Sequence, residues 1–219
     1  MTAGSRSTWA RLAAAAATVV AAGATLATAA GPASANTTSA AAKVHAKYKV
    51  TGSTYIKAPN FTINLGPGTL RSTVDLKTGK LTASLSLPDA TASFTEGVGI
   101  IQIPVTATTQ FINDGPTTGK LNTVTGKVRT KSKITLRIVS LTVGGLNLPV
   151  GNSCQTKDAV VVRLASQAGF NVLEGGKLAG SYTIGDFSGC GLIARTLINA
   201  TIPGGGNTIA LKLGKAKVS

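Results

Sequence analysis

The sequence predicts an all-β protein, an antiparallel β-sandwich or partly open barrel with one short helix near residues 190–200 and one disulfide. Apolar side chains recur at every second position in many short segments, Gly, Pro, Asn and Asp separate those segments, and Cys154 and Cys190 are the only cysteines. Period-two alternation gives a strand one apolar and one polar face. Many such strands with little helix must bury the apolar face against a second sheet or inside a closed one.

The elements follow in chain order. Apolar and polar residues alternate over 44–56 and 60–65, and Gly66-Pro67-Gly68 then reads as a turn. Leu70, Val74 and Leu76 fall on even positions; after Lys77-Thr78-Gly79, Leu81, Ala83, Leu85 and Leu87 fall on odd ones, the pattern of a hairpin. Thr-, Val- and Ile-rich alternation continues over about 98–112, 127–143, 159–165, 177–184 and 207–213. Gly204-Gly205-Gly206-Asn207 reads as a turn before the last strand. Between Gly189 and Ala200, Leu192, Ile193, Leu197 and Ile198 sit at helical spacing behind Ser188, a candidate N-cap, so a short helix is expected over one open end.

The N-terminus carries a targeting signal. Arg6 and Arg11 precede an Ala/Val-rich run from Leu12 to Ala30, and Ala33-Ser34-Ala35 supplies a small-residue cleavage pattern, so residues 1–35 are expected to be a removed secretory signal. The run approaches the ~20 apolar residues of a membrane span, but its Ala, Thr and Gly content and the Gly31-Pro32 break favour a cleaved leader. The mature chain is then expected to be secreted, without a transmembrane helix. Residues 36–42 read as a flexible leader, 43–214 as one β-rich domain and 215–219 as a frayed tail. Losing Arg6 and Arg11 leaves 20 basic residues against 7 acidic ones, a net charge of +13. In an exported chain an even cysteine count implies a Cys154–Cys190 disulfide; neither a C-x-x-C motif nor a nearby His supports a redox or metal pair.

Chemistry-bearing residues are scarce. One His, two Cys and seven carboxylates leave little material for acid–base, nucleophilic or metal chemistry, so a non-catalytic protein without a cofactor is expected. Gly115-Pro116-Thr117-Thr118-Gly119-Lys120 is one residue short of a phosphate loop, and Leu121 replaces the magnesium-holding Ser or Thr. Asp75, Glu96, Asp114, Asp158, Glu174 and Asp186 sit mostly beside Gly or in predicted turns, and Asp89 follows Pro88. An unrecognised hydrolase with two distant acids brought together by the fold stays open as an alternative.

The basic residues are better organised. Lys127, Arg129, Lys131, Lys133 and Arg137 share one strand face opposite Val128, Ile134, Leu136 and Ile138, and Lys43, His45, Lys47 and Lys49 repeat the pattern. Such a stripe either discourages edge-to-edge pairing or binds anions. The expected partner is an anionic cell-envelope polymer or lipid head group, not nucleic acid, because no basic helix or interleaved stacking aromatics accompany it. A second expectation is an apolar cavity closed by the 190–200 helix and holding a lipid or other hydrophobic ligand, with Val98, Ile100, Ile101, Ile103 and Val105 as candidate lining.

Several phrases carry a family resemblance. The Ala-rich leader, Leu148-Pro149-Val150-Gly151-Asn152-Ser153-Cys154, Gly180-Ser181-Tyr182-Thr183-Ile184, Phe187-Ser188-Gly189-Cys190-Gly191 and Ile198-Asn199 to Pro203-Gly204-Gly205-Gly206-Asn207-Thr208 resemble secreted proteins of unknown function from high-GC actinobacteria. The resemblance implies export, a disulfide and a bacterial envelope setting. It brings no activity and no site residue.

Overall fold

The computed structural model describes residues 43–98 and 101–219. The expected secretory signal, 1–35, the flexible leader, 36–42, and Ile100 lie outside the described residues, as do the side chains of Val98 and Ile101. Strand β1 (Lys43–Ile56) turns into β2 (Phe61–Asp75), which pairs with β3 (Lys80–Ser86). The turn after β2 is held by the exposed Asp75 carboxylate, which accepts from the backbone N–H groups of Lys77 and Thr78. The Thr78 contact is the main cause that holds Asp75 below its usual carboxylate range. Next come β4 (Ala90–Val98), β5 (Ile101–Asn113), β6 (Thr117–Leu121), β7 (Val128–Val143), β8 (Leu146–Asn147), β9 (Gln155–Thr156) and β10 (Val160–Ser166). The chain ends with β11 (Gly176–Ile184), β12 (Phe187–Ser188), helix α1 (Leu192–Thr201), β13 (Gly204–Leu213) and β14 (Lys217–Val218).

The antiparallel sheet closes into a barrel. Around the ring the order is β1, β2, β3, β6, β7, β10, β11 and β13, with β13 returning to β1 and β10 pairing β7 from Val160↔Ile134 to Ala165↔Arg129. The elements sequence reading expects are present: the antiparallel class, the helix and the Cys154–Cys190 bond. Of the two closures left open, the chain takes the barrel.

Strand β7 organises the upper half. Strands β5 and β6 run along the same side of it, β5 opposite Ile134–Val143 and β6 opposite Val128–Lys131, and the Asp114 N–H donates to the Lys133 carbonyl at the join. Strand β4 pairs only with β5 among the described residues. Its other edge faces β2 without a ladder. There Phe61 of β2 stacks on Phe94 of β4, ring centroids 4.4 Å apart and planes 7° from parallel.

Both barrel ends are capped. The loop from 167 to 175 closes the lower end, where the Tyr48 hydroxyl donates to the Val172 carbonyl at 2.8 Å and Phe170 and Val172 pack on Val74, Leu81 and Val128. Helix α1 caps the upper end through Ala194 and Ile198, both buried. Asn199 ties it down: its side-chain amide donates to the Phe187 carbonyl and its oxygen accepts from the Phe187 N–H. The disulfide joins the turn before β9 to the loop entering α1, closing a sequence separation of 36, a constraint worth about 3–4 kcal/mol in the loop-entropy account.

Four local expectations are corrected. Gly66-Pro67-Gly68 lies inside β2 as an irregularity opposite Val50–Gly52; Gly66 has φ 86°, and a Cβ there would sit 2.6 Å from the Val50 carbonyl oxygen. Gly204 to Asn207 belong to β13, not to a turn. Residues 215–219 are not a frayed tail: β14 pairs with Ala46–Lys47, and the Ser219 N–H reaches the His45 carbonyl, using the stretch of β1 below its last β13 partner. Gly191, not Ser188, precedes the helix, because Ser188 is held opposite Gln155 in the β12–β9 pair.

Asn199→Ala removes both ties between α1 and β12 and is expected to cost about 1–3 kcal/mol. Hydrogen exchange should rise first in α1 and β12. Unchanged protection there would mean that the apolar face alone holds the helix.

Candidate functional site

Strand parity builds the site. On β4 the even residues Ala92, Phe94 and Glu96 point inward, while Ser93, Thr95 and Gly97 are exposed. On β7 Ile134, Leu136 and Ile138 share that interior, and the β5–β7 irregularity beside Thr108 and Thr109 shifts the phase so that Leu141 again faces it. Together with α1 they enclose a cavity of ≈ 100 Å³ in the upper barrel, lined almost wholly by aliphatic and aromatic carbon. A second apolar void of ≈ 60 Å³ lies in the lower half, beneath Val50 and Leu178. Protein interiors leave few voids larger than one water. The upper cavity therefore forgoes packing worth on the order of 2 kcal/mol.

Polar groups at the upper cavity are few. The Tyr182 and Thr54 hydroxyls share a 2.5 Å hydrogen bond, and Thr54 donates onward to the Thr208 carbonyl. Glu96 is the one carboxylate among the described lining, and its Oε1 is sheltered from solvent without a hydrogen-bond partner among the described residues. Sequence reading places Glu96 with the turn acids because Gly97 follows it. Its even parity with Ala92 and Phe94 was the available signal. Of the expected cavity residues, Val105 lines the wall, whereas Ile103 is half-buried and outside the described lining.

The basic stripe lies on the outside. Arg129, Lys131 and Lys133 of β7 are exposed, and Lys127 is exposed just before the strand. Arg137 departs from the stripe: it is half-buried and its guanidinium donates to Gln155 Oε1, because β9 runs alongside that stretch of β7. Neighbouring strands add cations directly opposite, pairing Lys120 with Arg129, Lys131 with Arg163 and Lys80 with Lys120. Further round, Lys47 faces Arg71 and Lys177 faces Lys212. Like charges placed opposite each other are destabilising. The ion pair among the described residues is Lys215–Glu174, at 3.2 Å and well exposed, so acids do not offset the belt.

Other chemistries find less support in the arrangement. Among the described residues no three His, Cys, Asp or Glu side chains group to hold a metal ion, and no helix is long and apolar enough to cross a membrane. Charged outer and apolar inner faces reverse the sidedness of a membrane-spanning barrel. The Thr117–Leu121 segment is strand β6, so the Gly115–Lys120 phrase forms no phosphate cradle leading to a helix. His45 is exposed on β1, with Nδ1 2.9 Å from the Thr73 hydroxyl.

Burial raises Tyr182 and Tyr48 above the usual 10.0, against the smaller opposing effects of Thr54 and Ser72. The folded chain thus holds these phenolic protons more tightly than the unfolded one. Their contribution to stability is intact below pH 10 and is lost as pH rises through the higher folded values. Alkaline titration followed by phenolate absorbance and circular dichroism should show two tyrosines ionising together with unfolding; ionisation of all three before any loss of structure would contradict the buried network. Comparison of the chain with protein-family models, with curated proteins and with solved structures finds no match.

Proposed function

We propose that this chain is an exported, non-catalytic binding protein that carries a small apolar molecule in the upper half of its barrel. The observation that carries the reading is the ≈ 100 Å³ apolar cavity behind the β2–β4 seam. Apolar voids of this kind stay dry and take up apolar guests; one of ~150 Å³ accepts benzene. The matching guest is slender, a single ring or a short alkyl tail. Export is supported by the Cys154–Cys190 bond, which oxidising compartments sustain. Benzene should raise the unfolding free energy by RT ln(1 + [L]/Kd), about 2.7 kcal/mol at 100 times Kd. Ala92→Phe, which projects into the cavity, should abolish that gain while the variant still folds. Absence of stabilisation in the parent chain would remove the carrier reading.

A second reading rests on the opposed cations of the outer belt. They favour attachment to an anionic envelope polymer, since a stability cost that no acid offsets is explained by an external counter-charge. Lys131→Glu, facing Arg163, should stabilise the fold by about 0.2–1 kcal/mol and weaken salt-sensitive retention on isolated envelope material. Reversal of Lys127, Arg129, Lys131 and Lys133 together should reduce retention further. Retention that ignores both changes would leave the belt as a guard against strand pairing.

A further inference from the structure

The carboxylate of Glu96 has no structural task that its surroundings explain. It sits on the inward face of β4, paired opposite Ile103 and two residues beyond Phe94. Among the described residues its Oε1 is sheltered and unpartnered and it forms no ion pair, while the residue as a whole is half-buried. A lone water is a poor occupant, because a buried water needs two to four polar partners and this lining is chiefly Leu, Ile, Val and Phe. Seven acids serve the whole chain, and one of them faces an apolar interior. Beside it the barrel wall is joined by the Phe61–Phe94 stack and not by ladder bonds, so this is the seam at which a guest would enter.

We propose that Glu96 selects the guest: the ligand has an apolar body that lies along Ala92, Phe94 and Val105, and a terminal hydrogen-bond donor, a hydroxyl or an ammonium, that Glu96 accepts. The proposal rests on the carrier reading and goes beyond it by naming the end group. It also states what is excluded. A carboxylate-ended molecule would be drawn to the basic exterior but would meet a second acceptor of like charge at the seam.

Four probes with a five- or six-carbon alkyl tail test this: hexan-1-ol, hexylamine, hexyl methyl ether and hexanoate, titrated into the purified chain and followed by amide NMR shifts. Either donor-ended probe should bind about tenfold more tightly than the ether and hexanoate. Glu96→Leu should erase that preference by weakening the donors and sparing the ether. Glu96→Gln should keep the alcohol within a few-fold and lose the advantage of the amine. Equal affinities for all four probes, or a preference unchanged in Glu96→Leu, would overturn the role of Glu96 and leave the carrier reading standing. Binding of none of the four would overturn both.

Discussion

The ladder between β7 and β10 is the constraint on which the rest depends. It converts a row of antiparallel strands into a ring, and the ring decides which of each strand's two faces is withdrawn from water. Once Val160 lies opposite Ile134, the inward residues of β7 and β10 share an interior with those of β1, β11 and β13. A one-residue slip would exchange Lys131 and Lys133 for Val128 and Ile134 across the wall. The separation between cationic exterior and apolar interior therefore follows from register, with no specialised residue required to enforce it.

Closure also explains why the two halves differ. The lower half is lined by residues from the strands of the ring, keeps the smaller void of ≈ 60 Å³ and is plugged by Phe170 and Val172. Above it, β4 lacks a ladder to β2, and the larger void of ≈ 100 Å³ lies behind that seam. The residual void is a cost in packing, as the facing cations outside are a cost in repulsion. Both departures from the most stable arrangement coincide with the surfaces where binding is proposed.

Much of the wall was legible from alternation. The 70–87 hairpin, the long basic strand and the helix announce themselves through clear contrast between faces. Strand β4 does not, because Ala90, Ala92, Thr and Ser give little contrast, and Glu96 on the apolar phase reads as a turn acid. Gly66-Pro67-Gly68 has the composition of a turn, and only pairing on both sides shows the chain continuing through it. Arg137 shares the stripe's parity, yet β9 arrives from another part of the chain to engage it. The cavity was legible only as a possibility, since an unfilled volume depends on how distant side chains meet.

Chain order around the barrel has a temporal consequence. The β1–β2, β2–β3, β6–β7 and β10–β11 ladders of the ring join consecutive strands, whereas the β1–β13 ladder brings together residues as far apart as Val50 and Leu213. Closing such a span is entropically late work. A chain emerging N-terminus first would hold β1 without its second neighbour until almost all of it had appeared. Pulsed hydrogen exchange would register this order as hairpin amides protected early and the β1–β13 amides protected together, last; early β1–β13 protection would contradict it.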